Sequence, residues 1–247
     1  MQEKVEGFII RERDYLESSK ILDVFTKKYG IISVISKGCK KPKSKLCSLS
    51  SKMTYGNLNI YYKEGKLSTL TNIDSINNLS NIKKDIVKIS YVTYLMELIY
   101  QVVKQVETTE EIYNLFIATI LKINDNLDPL VLTNILELKL LDYLGVSPIL
   151  DKCSICGSKN NIVTLSLQKH GLLCKNCRTN ESLYHIESIK YIRMYYYLDI
   201  SKISKIEVKK EIKEEIKKYL NHYYERYTGL YLNSKEFIDK VKELTEE

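Results

Sequence analysis

The stretch at residues 153–177 reads CSICGSKNNIVTLSLQKHGLLCKNC. It carries two CxxC pairs, and 17 residues separate the pairs, which is within the spacing of four-cysteine zinc sites. Two residues between thiolates let one tight turn aim both sulfurs at a single tetrahedral ion, and the second pair completes the coordination shell. The residues between the pairs can form a hairpin that brings them together. We therefore predict a module over residues 151–179 in which one structural Zn²⁺ is held by Cys153, Cys156, Cys174 and Cys177.

Three other interpretations of these cysteines remain open: four buried thiols without metal, a redox pair and a catalytic zinc. A redox CxxC is expected to open a helix in a βαβ pattern, and neither pair does so. A catalytic zinc needs an open coordination position, which four thiolates would fill. His170 is expected in the hairpin turn. Cys39 and Cys47 are predicted to be packing or incidental cysteines.

Helical periodicity lies on both sides of the module. Apolar residues at spacings of three and four predict one long helix from about residue 81 to Ile99. Thr108 and Glu111 have the spacing of a capping box for a second helix, and Asp128-Pro129 opens a third, which Gly145 closes. Further helices are predicted near 186–199 and 208–228, and from an N-cap at Ser234. Because these apolar stripes need each other for burial, we predict one α-helical domain, residues 80–150 and 180–247, interrupted by the module.

The N-terminal segment, residues 1–79, has the pattern of β structure. Five segments rich in Ile, Val, Thr and Tyr are separated by short turn signals, and they lie near residues 5–12, 20–26, 30–36, 54–62 and 67–76. This number of strands fits a small OB-fold barrel, although an SH3-like barrel has a similar count. The predicted fold class is α+β: an OB-fold barrel, then a helical domain with an inserted four-cysteine zinc module.

Positive charge is concentrated in this N-terminal segment. Residues 1–80 contain 14 Lys and Arg against 8 Asp and Glu, an excess of 6, whereas the whole chain has a net charge of +7. Between Asp23 and Glu64 there are nine lysines and no acidic residue. Such an asymmetry indicates a surface that faces a polyanion, with a solvated lysine-rich surface as the alternative.

The sequence from Lys37 to Lys45 contains five lysines and directly follows the third predicted strand. We expect it to be a mobile loop that neutralises DNA phosphates without reading sequence, since it contains no Arg for bidentate base contacts. Basic residues at neighbouring strand ends could extend the contact. The predicted DNA-binding residues are Arg11, Arg13, Lys20, Lys27, Lys28, Lys37, Lys40, Lys41, Lys43 and Lys45.

No catalytic constellation is evident, so the protein is not expected to be an enzyme. His170, His185 and His222 have no acidic partner at motif spacing. The first ten residues lack the architecture of a secretory signal, and we expect that no apolar run approaches the length needed to cross a membrane. Six cysteines would then lie in a reducing cytoplasm, where paired spacing favours metal over disulfides.

Five local strings occur in order over almost the whole chain. They are RDYLESS (13–19), TKKYG (26–30) followed by SKG (36–38), YLMEL (94–98), LELKLLDYLG (136–145) and LNS (232–234) with Phe237. Together with the CxxC module they resemble the RecO family of bacterial recombination mediators. Leu136 stands where that family usually has Phe, Ser36 where it often has Ala, and His170-Gly171 where Gly-Gly is common.

The resemblance implies a DNA repair and homologous recombination mediator of the RecF pathway. Such a protein binds single- and double-stranded DNA, anneals complementary strands and, with RecR, helps load RecA onto DNA coated by single-strand-binding protein. The C-terminal tail of single-strand-binding protein would dock on the helical domain, with Lys139 as the candidate cation for its carboxylate. Since some members lack the cysteines, the metal would support folding. The protein would be cytoplasmic and nucleoid-associated. The alternative is a zinc-ribbon RNA- or transcription-associated binding protein.

Overall fold

Five N-terminal strands close into a barrel in the order β1-β2-β3-β5-β4. β3 and β5 pair in parallel, and every other neighbouring pair in the barrel is antiparallel. This is the five-stranded Greek-key barrel of the OB-fold, as predicted. The strands are β1 (Gln2–Tyr15), β2 (Ser19–Thr26), β3 (Gly30–Ser36), β4 (Tyr55–Tyr61) and β5 (Ser68–Asn77).

Alternate residues of the strands fill the barrel interior, as the two-residue period of a strand requires. The core includes Val5, Ile9, Leu22, Val24 and Val34, each less than 4% exposed. β-branched and aliphatic side chains pack well on such a pleated surface. The apolar residues whose enrichment predicted the strands therefore form the core of the barrel.

The computed structural model describes residues 1–107 and 109–245. Its internal contacts form two compact units: unit 1 is Met1–Asn124 with Ser234–Glu247, and unit 2 is Asp125–Asn233. The division by contacts differs from the division by element type, because the helices between residues 80 and 124 and the helix that begins at Ser234 belong with the barrel. The predicted boundaries at 79, 150 and 179 stay a prediction.

Unit 1 contains four helices besides the barrel: α1 (Ser80–Lys83), α2 (Ile86–Val103), α3 (Glu110–Asn124) and α7 (Ser234–Thr245). The prediction of a single helix from residue 81 to 99 is wrong. Asp85 has an extended backbone, and its carboxylate accepts hydrogen bonds from the N–H groups of Val87 and Lys88. This N-cap starts a new helix. Thr108, proposed to cap α3, lies outside the described residues.

α2 is the one helix among residues 1–107 and 109–245 whose length and composition would suit a membrane span. The expectation that no apolar run approaches that length is therefore wrong for Ile86–Val103. The helix nevertheless has 56% of its residues buried inside the protein. Burial of this kind is typical of a core helix, which passes the same test of hydropathy.

α7 packs against α2, although 109 residues of unit 2 separate it from the rest of unit 1. The N–H and the hydroxyl of Ser234 both donate to the Glu97 carboxylate of α2. Ile238 and Val241 are buried. Ser234 is the first residue of the helix, which therefore begins one residue earlier than a helix with Ser234 as its N-cap would.

Unit 2 is built around α4 (Pro129–Tyr143), which is buried on most sides. The Asp128 carboxylate caps it by accepting from the N–H groups of Leu130 and Val131, and Gly145 follows it with φ +70°. α4 packs against two helices that come after the cysteine module, so the module is inserted between helices that bury each other. Those helices are α5 (Ile186–Tyr197) and α6 (Lys210–Tyr227), with a short 3₁₀ helix at Ile200–Lys202.

Candidate metal centre and nucleic-acid interface

The cysteine module is a three-stranded sheet of β6 (Ile149–Cys153), β7 (Ile162–Ser166) and β8 (Gly171–Cys174). β7 and β8 form the predicted hairpin, and β6 pairs with β8 in parallel. Cys153 and Cys174 therefore end neighbouring strands. The second cysteine of each pair lies in the turn that follows its strand.

Each turn is closed by backbone hydrogen bonds around the first cysteine of its pair. The Gly157 N–H donates to the Cys153 carbonyl at 2.9 Å, and the Cys177 N–H donates to the Cys174 carbonyl at 3.1 Å. Gly157 has φ +73°, a conformation that glycine adopts without steric cost. These turns aim both sulfurs of each pair at one point.

The four sulfurs lie within 4.8 Å of one another, and the Cys156 and Cys174 sulfurs are 3.7 Å apart. Zinc–thiolate bonds of about 2.3 Å in a tetrahedron place the sulfurs about 3.8 Å from each other. The donor set therefore fits a structural metal ion with four thiolate ligands. Cys153 and Cys174 are buried, whereas Cys156 is exposed.

The pKa values of two of the clustered thiols are shifted in opposite directions. Burial alone would raise the pKa of Cys153, but hydrogen bonds from the backbone at Cys156, Cys174 and Ile155 lower it to about 6. The pKa of Cys177 is instead raised to about 12, mainly by its hydrogen bond with the Cys156 thiol. Four thiolates this close repel one another, and a bound divalent ion would compensate that repulsion.

The hairpin turn between β7 and β8 contains His170, as predicted. His170 has φ +53°, and its ring lies 4.2 Å from the ring of Tyr227 between centroids. The Tyr227 hydroxyl donates to the Leu167 carbonyl in the same turn. The turn thus packs on α6.

Gly171, the residue after His170, has no room for a side chain. A Cβ there would lie 2.3 Å from the Ile149 carbonyl oxygen, with φ at +151°. We expect Gly171→Ala to separate β6 from β8 and to lower the thermal midpoint of unfolding, at a cost of about 3 kcal/mol or more, because both the clash and the backbone conformation oppose it.

Gly157→Ala is the matched control. Gly157 also has positive φ (+73°), but a Cβ added to it would meet nothing within 4 Å. The substitution should cost only about 1 kcal/mol. Thermal unfolding of both variants with metal bound makes the comparison. Equal thermal midpoints of unfolding for Gly171→Ala and Gly157→Ala would contradict the predicted clash at Gly171.

The basic segment, defined as Lys37–Lys45, follows β3 as predicted and consists of successive turns. The N–H groups of Lys41, Ser44 and Cys47 donate to the carbonyls of Gly38, Lys41 and Ser44, each three residues earlier. The Lys40 N–H donates to the Ser18 carbonyl at 2.9 Å, which ties the segment to the β1–β2 hairpin. The mobility of this segment stays a prediction.

The predicted DNA-binding residues fall into two groups. Of these ten residues, and judged against partners within residues 1–107 and 109–245, four are exposed lysines without an ion-pair partner and five are paired with carboxylates. The unpaired ones are Lys37, Lys41, Lys43 and Lys45. The paired ones are Arg13 with Asp23, Lys20 with Glu12, Lys27 with Glu110, Lys28 with Glu3, and Lys40 with Asp14.

Arg11, the remaining predicted residue, contacts an aromatic ring on α2. Its guanidinium carbon lies 4.4 Å from the centroid of Tyr100, and the Lys104 ammonium lies 4.0 Å from the same centroid. Sequence reasoning missed Tyr100 and Lys104 as part of this cationic surface. Their i, i+4 spacing on a helix could have shown that they meet, but nothing in the sequence indicated their contact with Arg11.

Lys139 lies on α4 and is half-buried. Its ammonium donates to the Tyr196 carbonyl at 2.8 Å. Burial lowers its pKa, against the opposing influence of Asp142 and Asp199. One of its three N–H donors is therefore used inside unit 2, and its contact with a partner stays a prediction.

The two parts of the chain match two family models. The model described as Recombination protein O N terminal matches residues 1–79, and the one described as Recombination protein O C terminal matches residues 83–236. The chain belongs to the RecO family. It is 34% identical to the DNA repair protein RecO of Halalkalibacterium halodurans, covering 99% of this chain and 97% of that one. With the RecO of Bacillus cytotoxicus it shares 34% identity over 98% of both chains.

Membership of the RecO family confirms the resemblance inferred from the sequence and assigns the chain to DNA repair and recombination. RecO proteins are repair mediators, and the expected lack of catalysis in this one stays a prediction. His170 and Gly171 both have positive φ. The hairpin thus keeps a glycine-type backbone despite the histidine.

Proposed function

We propose that this protein binds single- and double-stranded DNA, anneals complementary strands and, together with RecR, helps load RecA onto DNA coated by single-strand-binding protein. The observation that carries the proposal is the set of four exposed, unpaired lysines on the folded basic segment. Their position beside an OB-fold barrel fits a nucleic-acid surface. Family membership supplies the context of recombination.

The proposed mechanism is electrostatic. Lysines that bind phosphates release condensed counterions, so binding falls steeply as salt increases. Screening of two polyanionic strands lets complementary bases meet. The basic segment contains lysine and no arginine, which favours contacts with the DNA backbone over bidentate contacts with bases. Lys37, Lys41, Lys43 and Lys45 would make the first contacts, since none of them must leave a carboxylate.

The ion that we propose for the cysteine cluster is one Zn²⁺. Four thiolates in a tetrahedral arrangement are the usual ligands of structural zinc, and they leave no position for a substrate. When bound, the ion would cross-link the two cysteine pairs. The strands β6, β7 and β8 position the two cysteine pairs, and the module they form lies in the chain between α4 and the two later helices.

The partner proposals follow family likeness. The C-terminal tail of single-strand-binding protein would dock on the helices, with two remaining N–H donors of Lys139 available for its carboxylate. RecR would act with the DNA-bound protein, and RecA would follow on the DNA. We propose that this takes place in the cytoplasm, at the nucleoid.

The proposal is tested by annealing two complementary oligonucleotides coated with single-strand-binding protein, with and without this protein. We expect faster annealing, with an acceleration that fades as salt rises. Binding without any acceleration would contradict the mediator function and favour the zinc-ribbon RNA- or transcription-associated alternative.

A further inference from the structure

The tip of the β1–β2 hairpin exposes two adjacent apolar side chains. Leu16 is 76% exposed and Tyr15 is 39% exposed. Only Leu16, Glu17 and Ser18 join the two strands, because Tyr15 pairs with Ser19. A three-residue connection holds both side chains at the end of a stiff two-stranded ribbon.

The backbone at this tip is strained. Leu16 has φ +53°, in the left-handed region where a large L-side chain is unfavourable. Leucine therefore adds backbone strain and exposed apolar surface at one position. Strain of this kind is concentrated at sites where a ligand binds.

The tip lies beside the unpaired lysines. The Ser18 carbonyl accepts from the Lys40 N–H, and the Ser19 hydroxyl accepts from the Gly38 N–H at 3.1 Å. Asp14, just before the tip, is paired with the Lys40 ammonium at 2.7 Å, and Glu17 adds one exposed negative charge. Against these, the basic segment contributes five lysines, so the surroundings of the tip remain cationic.

We propose that the Tyr15–Leu16 tip is a stacking site for the unpaired bases of single-stranded nucleic acid whose phosphates lie on the basic segment. A single strand offers flat base faces that stack on an aromatic side chain, whereas a closed duplex keeps those faces covered. The tip would thus give the protein its discrimination between single and double strands. This inference rests on the proposed DNA binding by the lysines, and its tests separate the two.

The chain contains no tryptophan, so Tyr15→Trp gives a single fluorescent reporter at the tip. Its matched control is Tyr61→Trp, because Tyr61 is 48% exposed and pairs with Gln2, at the other end of β1. On saturation with a 20-residue oligo(dT), we expect strong quenching of the first reporter and little change in the second. Equal emission from the first reporter with and without bound oligonucleotide would overturn the stacking site.

The second test compares affinities for the same sequence as a single strand and as a blunt duplex. Tyr15→Ala combined with Leu16→Gly should weaken single-strand binding about 5-fold to 150-fold, the effect of one lost base–aromatic stack. Duplex binding should stay the same. Because glycine relieves the positive φ at position 16, Leu16→Gly alone should not lower the thermal midpoint, which excludes misfolding as the cause.

The outcomes distinguish this inference from the proposed function. Equal loss on both DNA forms, or no loss on either, would overturn the stacking site. Alanine at the four unpaired lysines should instead weaken both forms. If the lysine variant binds DNA like the wild type, the proposal that these lysines bind DNA is wrong. A loss of affinity for single strands alone in the tip variant would still support stacking.

Discussion

The chain with Cys174→Ser is expected to bind no metal and to lose the cooperative unfolding of unit 2. Cys174 is buried, and its sulfur lies 3.7 Å from that of Cys156. The substitution replaces one of the four thiolates that would complete the coordination shell of the metal with a serine hydroxyl. Structural zinc contributes on the order of 10 kcal/mol to small zinc-dependent folds, which is comparable with the whole stability of a domain, about 5–15 kcal/mol. Metal analysis and thermal unfolding measure the two effects.

Cys47→Ser is the control for the cysteine variant. Cys47 is exposed, and it is not among the four clustered cysteines. This control should retain about one ion per chain and the wild-type midpoint. A Cys174→Ser chain that is metal-free and as stable as the wild type would refute the structural role. Because the basic segment belongs to unit 1, DNA binding should outlast the loss of metal.

Alanine at Lys37, Lys41, Lys43 and Lys45 together should flatten the salt dependence of DNA binding. If each lysine neutralises one phosphate and each contact contributes about 0.7–0.9, the magnitude of the log–log slope falls by about 3. Extrapolated from 1 M salt, where counterion release contributes little, this corresponds to a loss of affinity of roughly 200-fold to 900-fold at 0.15 M. Titrations at four salt concentrations, with single- and double-stranded DNA, measure both quantities.

A control with the same change of net charge, from +7 to +3, separates local contact from bulk charge. Lys159, Lys190, Lys205 and Lys218 of unit 2 are all exposed, and alanine at these four positions should change the slope by less than about 1. Similar slopes for the two quadruple variants would contradict the basic segment as the binding surface.

The sequence predicted those parts of the molecule that depend on local periodicity and spacing. Enrichment in Ile, Val, Thr and Tyr between turn signals predicted the five strands, and the CxxC spacing predicted the sulfur cluster. Asp128-Pro129 predicted the start of α4, because a capping carboxylate acts on the next two or three residues. These signals are local, so no knowledge of distant residues is required.

Features that depend on distant partners could not be predicted. Lys20 and Lys40 resembled the other lysines in sequence, yet their partners Glu12 and Asp14 come from β1. The break at Asp85 is local, because its carboxylate caps Val87 and Lys88, but the apolar period continues across it and predicted one uninterrupted helix. The positive φ of Leu16 is equally invisible, since leucine gives no signal for that conformation.

The interrupted course of unit 1 has a consequence for synthesis on the ribosome. The barrel, α1, α2 and α3 emerge first, but α7, which covers part of α2, emerges only after all of unit 2. During that interval the surface of α2 that receives Ile238 and Val241 stays uncovered, and the Glu97 carboxylate lacks Ser234. Apolar surface left open on a nascent chain invites association with other chains. Rapid translation through residues 125–233 would therefore shorten the period in which the N-terminal half is vulnerable to aggregation.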